Sequence, residues 1–146
     1  MANVKGVNAT LVDAGGVSTI LQGFIDARVK AMVDSYVLVA ATVVVGTKIE
    51  LGGTIPVGAK ILAILLSAST AQAGLTIDVG DDEDADRYGN DLTGLQTANS
   101  MVVVPGNNYV VDNTVTTTPD TRIVITTAGA SATAGTLYAA VLYTID

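Results

Sequence analysis

The feature that most constrains the fold of this chain is a succession of short apolar segments separated by turn-forming residues. From residue 27 onward, segments of about five to ten residues rich in Val, Ile, Leu and Thr alternate with clusters of Gly, Asn, Asp and Pro. Residues 27–34 and 47–53 show the two-residue period of a half-buried strand. No segment combines a helix cap, a 3.6-residue apolar stripe and a C-terminal glycine. The pattern predicts eight or nine strands in an all-β, antiparallel β-sandwich of jelly-roll-like type.

Two apolar runs are too uniform to have a polar face: YVLVAATVVV at residues 36–45 and AKILAILLSAS at residues 59–69. Each is too short to cross a bilayer core of about 30 Å as a helix. We therefore predict that both are strands buried on two faces, one inside the sandwich and one against an oligomer interface. Only 14% of the residues are charged although 49% are hydrophobic, which also indicates that partners cover much of the surface.

Residues 1–26 differ from the rest because they show little charge, no clean period and a Gly15-Gly16 break. We predict an extended N-terminal arm at residues 1–26 and a β-sandwich domain at residues 27–146; a first strand of the same sandwich is an equal alternative for the arm. The length of 146 residues suits one domain. The absence of cysteine and of a signal-peptide apolar region favours folding in a reducing cytoplasm.

Half of the acidic residues lie in one stretch, DVGDDEDADRYGND at residues 78–91. Its seven acidic residues and one basic residue contribute −6 of the formal net charge of −7. The low isoelectric point is therefore a local property. We expect no nucleic-acid partner, because no basic patch exists, and no membrane partner, because an anionic surface would repel this stretch.

The acidic stretch has two interpretations, a Ca²⁺ site or a rigid turn. Asp82, Asp84 and Asp86 occupy positions 1, 3 and 5 of an EF-hand-like count, but Arg87 and Thr93 stand where a glycine and a glutamate are required. The candidate ligands of an irregular Ca²⁺ site are Asp78, Asp82, Asp84, Asp86 and Asp91.

We favour the rigid turn, which needs no metal or cofactor. The guanidinium of Arg87 can bridge two neighbouring carboxylates, and the ring of Tyr88 can pack on the sandwich edge. The residues of this predicted structural loop are Asp81, Asp84, Asp86, Arg87 and Tyr88.

The residue inventory argues against catalysis. Without histidine or cysteine, the chain cannot build a Ser-His-Asp or Cys-His nucleophile or the usual zinc sites. A hydrolase with paired carboxylates remains conceivable. A glycosidase cleft, however, normally uses aromatic platforms, and this chain has one Phe and no Trp. We expect no enzymatic activity and no catalytic residue.

Residues 56–69 and 74–88, PVGAKILAILLSAS and GLTIDVGDDEDADRY, together resemble small virion structural proteins of tailed bacteriophages of the head decoration (cement) kind. The resemblance covers roughly residues 30–100. Its pattern positions are Pro56, Gly58, Ala59, Gly80, Asp81, Asp84, Asp86, Arg87 and Tyr88.

The resemblance implies a β-sandwich that forms homo-oligomers, often trimers, and binds the major capsid protein. Such a protein is made in the host cytoplasm and then lies on the outer surface of the capsid, where it clamps neighbouring subunits. Two alternatives stay open: a tail or head-fibre component of the virion, and a Ca²⁺-assisted carbohydrate-binding β-sandwich module.

Overall fold

The computed structural model describes residues 29–104 and 121–145, which form eight strands and one short 3₁₀ turn. The strands are β1 Val29–Leu38, β2 Lys48–Ile55, β3 Ala59–Ala68, β4 Thr76–Gly80, β5 Gly89–Leu92, β6 Val102–Val104, β7 Thr121–Ala128 and β8 Gly135–Ile145. The 3₁₀ turn, Gly94–Gln96, connects β5 to β6. Within these ranges no helix is long and apolar enough to cross a membrane.

The strands form two four-stranded antiparallel sheets, sheet A in the order β1-β8-β3-β6 and sheet B in the order β2-β7-β4-β5. Strand β1 pairs with β8, β2 with β7, β3 with β6 and β4 with β5. The chain is thus one long ribbon of paired strands that rolls up, so that the pairs β3–β8 and β4–β7 complete the two sheets. This arrangement is the eight-stranded jelly roll, and it confirms the predicted fold class.

The core lies between the two sheets and is built by alternate residues of the longer strands. In sheet A, Ile64 and Val141 point inward, and in sheet B, Leu51, Ile77 and Ile125 do so. Each is almost completely buried, which at about 25 cal/mol per Å² makes apolar burial the main stabilising contribution. The two sheets therefore share a single hydrophobic core.

The prediction of one strand over residues 36–45 was wrong. Strand β1 already begins at Val29 and ends at Leu38, and a hydrogen-bonded turn follows, in which the N–H groups of Thr42 and Val43 donate to the carbonyl of Val39 at 2.9 Å. Val43 is buried in the core, whereas Val45 is 55% exposed. A run of valines fits both a strand and this loop, so the pattern alone could not locate the turn.

The prediction for β3 is right about the strand and about the burial of one face inside the sandwich. Inward residues such as Ile61 and Leu66 are buried in the core, but Leu62, on the other face, is 42% exposed. The described residues thus bury β3 on one face only. That a second molecule covers the other face stays a prediction.

Two predicted elements lie outside the described residues: the arm at residues 1–26, with the domain boundary that follows it, and an apolar segment at residues 108–113 that contributed to the expected strand count.

Buried polar side chains hold the connections in place. The amide of Gln72 is fully buried; its Nε2 donates to the Thr70 carbonyl at 2.9 Å, and its Oε1 accepts from the Thr133 N–H at 2.8 Å. In β7, the hydroxyl of Thr127 donates to the Val44 carbonyl at 2.6 Å and accepts from the Thr47 N–H at 3.0 Å. These bonds satisfy backbone groups of loops that have no strand partner. Sequence patterns did not single out either residue.

Candidate functional site: the acidic loop and the apolar face

The acidic loop, residues 81–88, connects β4 to β5 at one edge of sheet B. Gly80, the last residue of β4, determines the direction in which the loop leaves the strand. Alternation along β4 directs position 80 to the outer face of the sheet, because Val79 points into the core. A Cβ at Gly80 would overlap the backbone of Asp84 and Ala85. The loop therefore folds back over the outer face of β4, and only glycine permits this close approach.

Asp81 and Arg87 form the centre of this loop. The Asp81 side chain is only 4% exposed, and its Oδ2 lies 3.1 Å from Nε of Arg87. Its Oδ1 accepts hydrogen bonds from the N–H groups of Glu83 and Asp84, both at 3.0 Å. The N–H of Asp81 in turn donates to the Asp84 carbonyl at 2.9 Å. One buried carboxylate thus organises the turn, and one guanidinium neutralises it.

Arg87 also reaches two other acids of the loop. Its Nη2 lies 3.5 Å from Oε2 of Glu83, and its Nε lies 4.0 Å from Oδ2 of Asp84. Both acids are about half exposed, so these longer contacts are weaker than the contact with Asp81. Arg87 therefore serves mainly to compensate the buried charge of Asp81.

Tyr88 connects the loop to the core. Its N–H donates to the Val79 carbonyl at 2.8 Å, and the residue as a whole is only 3% exposed. Burial raises the pKa of the Tyr88 phenol well above its usual value, and the negative charge of Asp81 raises the pKa further. Tyr88 packs inside the sandwich, deeper than the edge position predicted from the sequence.

Asp78 and Asp86 each form hydrogen bonds that do not involve Arg87. Oδ1 of Asp78 accepts from the N–H of Asp91 at 2.9 Å, which holds the two ends of the β4–β5 connection together. Oδ2 of Asp86 accepts from Nδ2 of Asn90 at 3.0 Å. A hydrogen bond with the neighbouring Asp84 carboxyl raises the pKa of Asp86.

The five candidate Ca²⁺ ligands do not converge. In the part of the chain that the structure describes, no group of three or more acidic side chains lies close enough to hold a metal ion. The carboxylate that is buried and surrounded by donors is Asp81, which was not among the candidates, and its charge is compensated by Arg87. The loop is thus organised around Asp81 and Arg87, and its structural role without a metal stays our prediction.

The second candidate is the outer face of sheet A, which we call the apolar face. It consists of the outward residues of β1, β8, β3 and β6. Val33, Tyr138 and Val103 are among its exposed members, at 78%, 50% and 52%, and Leu65 and Leu142 lie between them. Beside Met101 the face contains a shallow depression of about 250 Å³. Among the strand residues described on this face, Lys60 is the only charged one.

The outer face of sheet B is different. Lys48, Glu50, Arg122 and Asp78 occupy outward positions there, and Arg122 forms an ion pair with Glu50. The acidic loop covers another part of this face. One sheet thus has the polar outer surface that an antiparallel sandwich normally presents to water, and the other does not. A composition low in charge could have indicated such a face, but not which sheet carries it.

The fold is shared with chains of bacteriophage capsid structures. A chain of the cyanophage Pam1 capsid asymmetric unit superposes with a TM-score of 0.68 at 24% identity, over 82% of this chain and 86% of that chain. A chain of the Ralstonia phage GP4 capsid gives a TM-score of 0.60 at 20% identity, over 82% and 85% of the two chains. A chain of the acidic stable capsid of Helicobacter pylori bacteriophage KHP30 gives 0.59 at 12% identity, over 80% and 87%.

No protein-family model matches the sequence, and no curated protein does. At the identities above, the likeness to the three capsid structures establishes a shared fold: this chain is a jelly roll of the kind found in chains of phage capsids.

Proposed function

We propose that the protein is a structural component of a phage virion, a decoration or cement protein that binds the major capsid protein on the outer surface of the head. In this role it forms homo-oligomers, with a trimer favoured, and strengthens the shell. The observation that carries the proposal is the fold. Chains of three phage capsid structures share it over 80% to 82% of this chain.

The surface properties support the same role. A protein that works by covering a shell needs apolar surface for its contacts, and the apolar face supplies it. Many modest contacts, repeated over a shell, can together stabilise it strongly. The proposal assigns no reaction to the protein, and it gives the acidic loop a structural task.

A binding experiment with capsid shells tests the proposal. Purified protein is mixed with expanded shells assembled without it and sedimented, and bound protein is measured against the amount added. We expect saturable binding and a higher melting temperature of the shells. Shells already saturated with the protein serve as the matched control and should take up no more.

Purified tails, tested in parallel, separate the head from the tail assignment. Binding to tails and not to shells would overturn the decoration role and support the tail alternative. No saturable binding to either would contradict a virion role of this kind.

A further inference from the structure

We infer that the apolar face of sheet A is covered by other copies of this same chain, so that the face is the self-association surface of the oligomer. The inference deepens the proposed function, which includes self-association, but its test needs no capsid.

The distribution of charge favours a second copy as the occupant. The acidic loop, which holds most of the net charge, belongs to sheet B. Two copies that meet through sheet A keep their acidic loops apart. On the face itself the described strands carry no acidic side chain, so identical surfaces meet without acid–acid repulsion. Among the described strand residues of the face, Lys60 alone is charged, which is too little for electrostatic complementarity with a strongly charged partner.

The size of the face is suitable for such a contact. The strands β1, β8, β3 and β6 are 10, 11, 10 and 3 residues long. With an average length of about eight residues, a spacing of about 4.8 Å and a rise of about 3.3 Å per residue, they give a footprint of roughly 500 Å². The largest apolar patch on a typical monomer is about 300–600 Å², and a standard interface buries about 800 Å² of accessible surface per partner. Because protruding side chains make the accessible surface area larger than the flat footprint, the area of this face approaches that of a standard interface.

The shape of the face, which combines exposed side chains with a depression, suits packing against the same face of a second copy. Val33 on β1 and Val103 on β6 are exposed at opposite margins of the face, and Val33 also lines the depression together with Leu65, Tyr138 and Ala140. A protruding apolar side chain of one copy can enter the depression of another. Such a contact can close symmetrically in a dimer, or around a threefold axis in a trimer.

The test is a pair of matched double variants. Val33→Glu/Val103→Glu places two charges on the face at positions exposed enough to accept them in a folded monomer. Val45→Glu/Val57→Glu makes the same changes at valines in connections outside the face; their exposures of 55% and 53% are close to that of Val103. Light scattering over a range of concentrations gives the mass of each protein, and circular dichroism checks that each is folded.

We expect the unchanged protein and the connection variant to be oligomers, and the face variant to be a folded monomer or to associate at least about tenfold more weakly. A dimer that the face variant dissociates would support the inference and contradict the proposed trimer. A monomeric unchanged protein, or a face variant that stays fully oligomeric, would overturn it.

The outcome is separable from that of the shell experiment. If the unchanged protein is monomeric but binds shells, and the face variant does not bind them, the apolar face contacts the capsid protein. Self-association would then be refuted while the decoration role remained supported.

Discussion

Arg87 is the residue on which we expect the acidic loop to depend most. Arg87→Ala would leave the buried Asp81 carboxylate without its cation, and we expect a loss of about 1–2 kcal/mol of unfolding free energy, or roughly 3–8 °C in Tm. Lys48→Ala removes an exposed lysine of β2 and should change stability by less than about 0.5 kcal/mol. Thermal melts of the two variants decide the matter: equal effects would refute the role of Arg87.

Gly80 gives a second prediction at the same scale. A methyl group at this position collides with the backbone of Asp84 and Ala85, so Gly80→Ala should cost about 1–3 kcal/mol. The control is Gly53→Ala, where the nearest atom, Sδ of Met32, lies at an ordinary 3.9 Å. Chemical denaturation of both variants measures the difference. If Gly80→Ala were as mild as Gly53→Ala, the loop would not fold back over β4 as described.

Residue types and spacing were enough to predict that Arg87 bridges acids of its own loop. They could not identify Asp81 as its main partner, because seven acids of similar chemistry lie within reach along the chain. Which one becomes buried depends on how Gly80 turns the loop onto the sheet.

At the scale of elements, Asp34 connects two strands of different sheets. Its Oδ2 accepts from the Gly52 N–H of β2 at 2.8 Å, and its Oδ1 accepts from the Ser35 N–H at 2.7 Å. These two bonds, the one from Gly52 first, hold the pKa of Asp34 below its usual value. The lowered pKa means that the contribution to stability is present above about pH 4 and is lost as the pH falls below it, through the folded-state pKa.

We therefore expect Asp34→Asn to lower stability by about 0.5 kcal/mol at neutral pH, a small effect because water still screens this half-buried site. The difference from the unchanged protein should shrink as the pH falls from about 5 to 2. Thermal melts across this range measure it. Asp82→Asn alters an exposed acid that accepts no hydrogen bond within residues 29–104 and 121–145, and should show no such trend. A constant difference at every pH would contradict the proposed link.

Strand prediction succeeded where turn chemistry interrupts the apolar pattern and failed where it does not. Gly58 and the acids after Gly80 ended two neighbouring elements correctly. The valine-rich run at residues 36–45 contains no glycine, proline or asparagine, yet the chain turns within it. The buried hydroxyl of Thr127 on β7 and the burial of Val43 stabilise that turn, and both are tertiary contacts from distant parts of the chain.

At the scale of the whole molecule, the two sheets have opposite surface character. The polar outer face of sheet B suits contact with water, and the apolar face of sheet A suits contact with protein. In the proposed function, this asymmetry gives a low-charge chain a defined side for assembly and keeps its acidic loop on another. The proposed self-association and the proposed capsid binding both follow from that difference. Light scattering of the face variants tests the first, and sedimentation with capsid shells tests the second.

The sequence by itself determined the class of fold, because two-residue periodicity, frequent turn residues and the absence of amphipathic helical segments leave few arrangements other than an antiparallel sandwich. It also determined that charge is concentrated in one stretch. Only the tertiary structure decided how β1–β4 pair with β8–β5, which acid the loop buries, and which sheet carries the apolar outer face. The reason is physical: periodicity is a local property of the chain, whereas strand partners and burial arise from contacts between residues far apart in sequence.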